Sequence, residues 1–234
     1  MAAMKTNLVL VPGLLCTRAL WEPQIAALSD IADMTVADHM RHDTMEGIAG
    51  SILAAAPERF ALAGLSMGGY ISYEILRQAP QRVTRLALLD TGCRADAPER
   101  KQQRLRRNEL ARREGAGAVQ DELMSVLIHE DRLSDKAFTA AIRQMAIDTG
   151  TDALIRQHAA LMARHDSRPM LASIACPTLV LVGREDALTP VEMAQEIASG
   201  IPGARLEIIP DCGHLSTMER PEAVNRALSA WLTA

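Results

Sequence analysis

The chain alternates between short apolar runs and segments with helical spacing, and this alternation constrains the fold more than any other feature of the sequence. Strands that are apolar throughout and alternate with helices are typical of a parallel sheet covered on both faces. The sequence therefore predicts an α/β fold, with a parallel six-stranded sheet and helices on both faces. The six predicted strands span residues 6–12, 33–39, 59–64, 82–90, 177–183 and 204–210.

The strand signal disappears between Arg94 and about Arg168. About 75 residues without a strand, between the fourth and fifth strands, indicate an insertion in one domain. We predict that residues 94–168 form a helical cap over the carboxyl edge of the sheet, and that residues 1–93 and 169–234 form the core. The pattern favours three or four helices in the cap, at roughly 97–113, 117–129, 134–148 and 151–165.

Composition excludes several classes of protein. A net charge of −4 gives no global electrostatic reason to bind nucleic acid or an anionic membrane. The N-terminal sequence lacks the pattern of a signal peptide, and no stretch approaches the roughly 20 apolar residues of a membrane span. The four cysteines have neither CxxC nor metal-ligand spacing. We therefore expect a cytoplasmic protein with reduced thiols.

One local excess of positive charge begins where the cap begins. Between Arg94 and Arg113, the sequence has eight basic residues and three acidic residues. The favoured interpretation is a solvated helix face, and the alternative is a rim that attracts anions. The basic residues are Arg94, Arg100, Lys101, Arg104, Arg106, Arg107, Arg112 and Arg113.

The stretch Gly64-Leu65-Ser66-Met67-Gly68 lies where the third strand gives way to a helix. A serine there could be an ordinary helix cap. The glycines on both sides instead fit G-x-S-x-G, the nucleophile elbow, in which a tight turn exposes the serine oxygen and side chains on the flanking positions would clash. The N–H groups of the following helix also favour developing negative charge at this spot.

With this motif in its strand-turn-helix context, the chain resembles the α/β-hydrolase family over essentially its whole length. The resemblance implies that Ser66 is the nucleophile of a Ser–Asp–His triad in that chain order. Family members often carry two further strands ahead of the strand that matches residues 6–12. This sequence begins almost directly at that strand, so we expect six parallel strands with no antiparallel start. No metal or organic cofactor is expected, since the sequence has no H-E-x-x-H, no phosphate loop with lysine and no dinucleotide G-x-G-x-x-G after the first strand.

The chain order assigns the other two members of the triad by resemblance. The family's acid matches Asp186, in "GREDALTP" after the fifth strand, and its base matches His214, in "PDCGHLSTMERP" after the last. Glu185 is a weaker alternative for the acid. Asp90 ends the fourth strand, from which some relatives of this fold supply the acid, and is a rival candidate. Asp211, close to His214 in sequence, is the other rival, or it merely shapes the histidine loop.

The oxyanion hole implied by the resemblance needs two backbone N–H donors. One is Met67, directly after the nucleophile, and the other is Leu14, in the loop after the first strand. Where the family commonly has His-Gly-x, this chain has Pro12-Gly13-Leu14, and a proline cannot brace the loop as a histidine does. The candidates for lining the substrate pocket are Leu15, Cys16 and Trp21.

The resemblance favours a serine hydrolase that cleaves a carboxylic ester of small-to-medium acyl chain, with a small-molecule substrate and a monomeric or homodimeric state. Lactonase, thioesterase, C–C hydrolase, haloperoxidase and acyltransferase chemistry use similar capped scaffolds and stay open. A ligand-sensing protein on the same fold is the non-enzymatic alternative. The cap is expected to determine the choice of substrate.

Overall fold

The computed structural model describes residues 5–234. Its six strands form one parallel sheet in the order β2-β1-β3-β4-β5-β6, as predicted. The strands are β1 (Thr6–Val11), β2 (Ala32–Val36), β3 (Phe60–Leu65), β4 (Val83–Leu89), β5 (Thr178–Gly183) and β6 (Arg205–Ile209).

The helices alternate with the strands and cover both faces of the sheet. Residues of β3 show the two faces: Ala61 and Ala63 pack in one buried apolar cluster, Phe60 and Leu62 in the other. The helices of the sheet layers are α1 (Glu22–Leu28), α2 (Met45–Ala55), α3 (Met67–Gln78), α8 (Val191–Gly200), α9 (Ser216–Glu219) and α10 (Pro221–Thr233).

Four helices separate β4 from β5 along the chain, in the segment expected to form the cap. They begin and end within a few residues of the predicted positions, and a single 3₁₀ turn, Glu130–Arg132, follows the second of them. These helices are α4 (Pro98–Glu114), α5 (Ala116–Leu127), α6 (Lys136–Thr149) and α7 (Thr151–Ala163).

The helical spacing of the sequence predicts continuous helices over residues 18–29 and 216–232, and a proline divides each of them. The first predicted helix consists of a 3₁₀ turn, Arg18–Trp21, followed by α1, with Pro23 in its first turn. The last is divided into α9 and α10, and Pro221 is the first residue of α10. Proline lacks an N–H and clashes with the preceding turn, so it begins a helix more readily than it continues one.

The strand order reverses between β1 and β3. From β1 the chain goes to β2 on one side and then to β3 on the other. The loops after β1 and β3 therefore diverge at the carboxyl edge of the sheet, and such a switch point is where open α/β sheets bind ligands. Val11 at the end of β1 is in register with Gly64 near the end of β3, so the two loops start side by side.

Candidate active site

Ser66 occupies the turn between β3 and α3 in a conformation that non-glycine residues rarely adopt. Its φ is 54° and its ψ is −111°. Its side chain makes no capping bond to α3, in contrast to an ordinary N-cap serine. Such backbone strain in a well-packed turn is typical of functional positions. The turn therefore presents the hydroxyl of Ser66 to the adjoining loops instead of to its own helix.

Close backbone contacts require the glycines on each side of Ser66. A Cβ at Gly64 would lie 2.3 Å from the carbonyl oxygen of Gly68, and one at Gly68 would lie 2.1 Å from the carbonyl oxygen of Val11. Both distances are far inside van der Waals contact, so the turn tolerates no side chain at these positions. The steric reasoning from the sequence agrees with this geometry.

His214 and Asp186 continue a line of hydrogen bonds from Ser66. The Nε2 atom of His214 is 2.8 Å from Oγ of Ser66, and its Nδ1 atom is 2.8 Å from Oδ2 of Asp186. The Asp186 carboxylate also accepts bonds from the backbone N–H groups of Leu188 and Thr189 and from the Thr189 hydroxyl. With Nδ1–H bound by Asp186, the lone pair of Nε2 faces the serine hydroxyl.

The charges of Asp186 and His214 stabilise each other. Burial lowers the pKa of His214, but the charge of Asp186 and its hydrogen bond outweigh burial and hold that pKa above its usual value. Burial raises the pKa of Asp186, and the attraction of His214 with the bonds from His214 and Thr189 outweighs it, so the net pKa is lowered. At neutral pH, Asp186 is ionised and oriented to stabilise an imidazolium.

The three alternative acids make other hydrogen bonds. The Glu185 carboxylate accepts the backbone N–H of Cys212, and Asp211 is exposed. Asp90 is completely buried, accepts the N–H of Gly183 at 2.9 Å and shares a short hydrogen bond with the hydroxyl of Ser216. Of the four candidate acids, Asp186 is the one hydrogen-bonded to the histidine.

The expected oxyanion donors border the same cavity as Ser66. Leu14 follows β1 and Met67 begins α3, and both line the cavity beside the serine. Within residues 5–234, neither backbone N–H donates a hydrogen bond to another group. Two unpaired N–H groups close to a nucleophile can bind an oxygen that gains negative charge.

The loop after β1 carries Pro12 where the family commonly has a histidine. A histidine from another loop of the chain holds it in place. His39 follows β2, is 1% exposed, and its Nε2 atom lies 2.9 Å from the carbonyl oxygen of Gly13. A carbonyl only accepts, so Nε2 carries the proton. Burial lowers the pKa of His39 and keeps the ring neutral. No motif of the sequence points to His39, because its contact with the loop at Gly13 follows only from β2 lying beside β1.

Leu15, predicted to contribute to the pocket, lies in the core instead. Its side chain is 1% exposed, it does not line the cavity, and its N–H donates to Oε1 of Gln157 on α7 at 3.3 Å. Its neighbours Leu14 and Cys16 line the cavity, while Trp21 is fully buried in the core.

The cavity above Ser66 measures about 130 Å³ and is lined by residues of the sheet loops and of α4, α5 and α7. Three leucines of α5 and α7 line it, Leu123, Leu127 and Leu161. The wall from α4 is instead strongly polar and includes Arg100, Arg104 and Arg107.

Across residues 5–234, no group of three or more His, Cys, Asp or Glu side chains could hold a metal ion. Over the same range, no helix combines the length and the apolar character needed to cross a membrane.

A strained turn that presents a serine to a histidine at the edge of a parallel α/β sheet defines a hydrolase of the α/β type. A sequence model described as the alpha/beta hydrolase family matches residues 8–227. The chain belongs to that family, and it is an enzyme.

Relatives of known name or structure resemble the chain along nearly all of its length. An esterase from Thermogutta terrifontis is 33% identical and superimposes with a TM-score of 0.90, over 99% of this chain and 91% of that one. An enol-lactonase from Burkholderia xenovorans LB400 is 28% identical with the same TM-score of 0.90, over 99% and 93%. A pimeloyl-(acyl-carrier protein) methyl ester esterase from Nitrosomonas europaea is 27% identical, over 92% of this chain and 91% of the relative.

Proposed function

We propose that this hydrolase cleaves carboxylic esters of small-to-medium acyl chain through an acyl-enzyme on Ser66. The observation that carries the proposal is the line of two 2.8 Å hydrogen bonds from Ser66 through His214 to Asp186. A hydroxyl is a weak nucleophile on its own, and an adjacent base held in the right tautomer is what activates it.

In the proposed first step, Oγ of Ser66 attacks the ester carbonyl carbon while Nε2 of His214 takes the hydroxyl proton. Asp186 holds the Nδ1–H tautomer and stabilises the imidazolium that forms. As the tetrahedral intermediate collapses, the C–O bond to the alcohol breaks and His214 returns its proton to the leaving oxygen. Water then attacks the acyl-enzyme, with His214 again as the base, and the acid is released.

The proposed oxyanion hole consists of the N–H groups of Leu14 and Met67. The negative charge on the carbonyl oxygen exists only in the transition state and the intermediate, so donors placed for it lower the barrier without tightening substrate binding. Met67 is the first residue of α3, and the helix N-terminus adds its partial positive charge at the same point.

The leucines that line the cavity suit an aliphatic acyl chain, and its volume of about 130 Å³ favours a short one. The names of the relatives, an esterase, a methyl ester esterase and an enol-lactonase, agree with this chemistry. A lactone is a cyclic ester that the same steps open, so small lactones are the second substrate class that we propose.

The test is multiple-turnover hydrolysis of 4-nitrophenyl esters of two to eight carbons and of small lactones by the wild type and by Ser66→Ala. We expect release of free acid in water by the wild type, and a loss on the order of 10⁶ in turnover for the variant. A fluorophosphonate probe should label Ser66 in the wild type, with mass spectrometry locating the adduct. Near-normal turnover by Ser66→Ala would overturn the assigned nucleophile, and label without turnover would favour a ligand-sensing role.

A further inference from the structure

The wall of the cavity that α4 forms carries a surplus of positive charge. Arg100, Arg104 and Arg107 lie on α4 at a spacing of four and three residues, which places them on one face of the helix, and all three line the cavity with Ser66. Arg106, on the same helix, is exposed and does not line the cavity. The basic segment therefore divides into a solvated face and a face toward the site.

The nearby carboxylates do not neutralise these arginines completely. Asp96 is buried and binds two guanidinium groups, with Nε of Arg104 and Nη1 of Arg164 each 2.6 Å from one of its oxygens. The single negative charge of Asp96 thus compensates only one of the two positive charges that it binds. Arg107 pairs at 2.9 Å with Glu122, whose side chain is 50% exposed, so this pair lies at the solvent side.

Arg100 has no carboxylate partner within residues 5–234. Its Nη2 atom donates to the carbonyl oxygen of Leu188 at 2.7 Å, in the loop that carries Asp186. Arg100 is close enough to His214 to affect its titration. Burial is the largest influence that lowers the pKa of His214, and the positive charge of Arg100 lowers it further. A guanidinium at the edge of a leucine-lined cavity attracts an anion more strongly than it would in open water.

A neutral donor lies beside these charges. Gln120 on α5 is 3% exposed and lines the cavity. Its N–H₂ group is suited to donate to an oxyanion that the arginines attract.

We propose that the preferred substrate is an ester or lactone that carries one carboxylate, bound by Arg100 and Arg104 with Gln120 as a further donor. This inference rests on the proposed ester hydrolysis at Ser66. The planar fork of arginine matches a carboxylate in bidentate geometry. The surplus is small and the rest of the lining includes leucines, so a short aliphatic chain that ends in one carboxylate matches the cavity in both charge and polarity.

A purely structural role for the same arginines makes a different prediction. Arg100 would then only hold the Leu188 carbonyl, and Arg104 would only neutralise Asp96. Substitutions would then affect charged and neutral substrates alike. The discriminating quantity is the ratio of kcat/KM for a carboxylate substrate to kcat/KM for its neutral isostere.

The experiment uses the full chain and monomethyl esters of unbranched dicarboxylic acids of four to seven carbons. Each is compared with the ester in which an amide, CONH₂, replaces the free carboxylate. We expect the wild type to favour the anionic ester by about 10- to 100-fold, the range that a hydrogen bond to a charged group provides. The ratio should fall at least tenfold in Arg100→Met and should be retained in the control Arg106→Met, which removes the same charge from the same helix outside the cavity.

A second arm places the carboxylate in the alcohol part, as acetate esters of ω-hydroxy acids. Preference for the anionic member in either arm supports the inference and identifies which half of the ester contacts the arginines. Ratios near one in both arms, or equal ratios in wild type and Arg100→Met, overturn it.

Failure of the inference can be distinguished from failure of the proposed function. If the enzyme hydrolyses 4-nitrophenyl acetate but has the same kcat/KM for the anionic and the neutral esters, only the inference is rejected. If no ester is hydrolysed, calorimetric titration of Ser66→Ala with monomethyl adipate still tests the anion site. Binding that is at least tenfold weaker when Arg100→Met is added supports it, and binding that is absent or unchanged rejects it.

Discussion

At the scale of single residues, Asp90 and Asp186 are two buried carboxyl groups near one histidine, with opposite pKa shifts. Burial raises the pKa of Asp90 to about 8, and the negative charge of Asp186 adds to the effect. The pKa of Asp186 is lowered, because the attraction and hydrogen bonds of His214 outweigh burial. At neutral pH the protonated Asp90 is a neutral hydrogen-bonding group, and Asp186 carries the charge that His214 needs.

This difference predicts how two equivalent substitutions behave. Asp186→Asn should lower kcat by several orders of magnitude, about 10⁴, since an amide favours the wrong tautomer of His214 and cannot stabilise the imidazolium. Asp90→Asn should cost far less, because an amide can still accept from the Gly183 N–H and bond the Ser216 hydroxyl. Steady-state turnover of a 4-nitrophenyl ester measures both, and reversed sensitivities would move the acid to the end of β4.

The pH profile tests the charge of Asp186 separately. His214 must be neutral to act as a base, so kcat/KM should rise with pH through the pKa of His214, which Asp186 holds above the usual 6.5 despite burial. In Asp186→Asn the burial remains without the attraction, and the residual activity should rise at a lower pH. The measurement uses an ester that does not itself ionise, and a wild-type midpoint at or below 6.5 would contradict it.

At the scale of elements, strand ends were predictable and contacts between loops were not. Ser66 directly follows β3 and Asp186 lies three residues after the end of β5, so chain order and turn residues suffice to find them. The brace from His39 to the loop at Gly13 depends instead on β2 lying beside β1, and the two residues are 26 positions apart. The prediction also extended the second strand to His39, whereas β2 ends at Val36 and the chain then turns toward that loop.

The brace gives a prediction about the oxyanion loop. His39→Leu should lower kcat about tenfold or more with a smaller change in KM, because the N–H of Leu14 loses its fixed position; losing an oxyanion donor outright costs about 10²–10³. His39→Gln, which keeps an N–H donor, should retain more activity, and His42→Leu, at an exposed position, serves as the control. Equal kcat in all three variants would show that the loop needs no brace.

Some apolar residues of α4 to α7 line the cavity, and others only pack against neighbouring helices. Leu123 of α5 lines the cavity, while Met145 of α6 is 1% exposed and lies outside it. Leu123→Ala should shift the preferred acyl chain by about 1–3 kcal/mol in discrimination, and a small activated ester should still be cleaved. Met145→Ala should cost about 2–5 kcal/mol of stability and leave the chain-length profile unchanged. A profile that is flat for Leu123→Ala would remove α5 from substrate selection.

At the scale of the whole molecule, the proposed site depends on loops from distant parts of the chain that meet at one edge of the sheet. The loops after β1, β3, β5 and β6 supply Leu14, Ser66, Asp186 and His214. A parallel sheet brings all these carboxyl ends together, so the fold class predicted the meeting place. The polarity of the α4 wall was not predictable, because periodicity does not say which arginines turn inward and which carboxylates accompany them.

The buried Asp90 makes the stability of the whole fold depend on pH, with a sign opposite to that of most carboxylates. Its pKa rises from the model-peptide value of 3.8 to about 8 on folding. Between those values the folded state therefore binds more protons at this site than the unfolded state, and its contribution to the free energy of unfolding falls as pH rises, by up to about 1.4 kcal/mol per pH unit. Asp90→Asn should remove this loss.

Urea denaturation at pH 5, 6.5 and 8 measures this effect as the free energy of unfolding of Asp90→Asn minus that of the wild type. We expect the difference to increase steadily toward pH 8. Asp166→Asn is the matched control: the hydrogen bond and charge of Arg168 lower the pKa of Asp166, so its stabilisation is already complete above the unfolded pKa and is lost only as pH falls toward the folded one. Its difference should therefore stay nearly constant from pH 6.5 to 8. An Asp90→Asn difference that is the same at pH 5 and pH 8 would mean that Asp90 is ionised in the folded enzyme throughout this range.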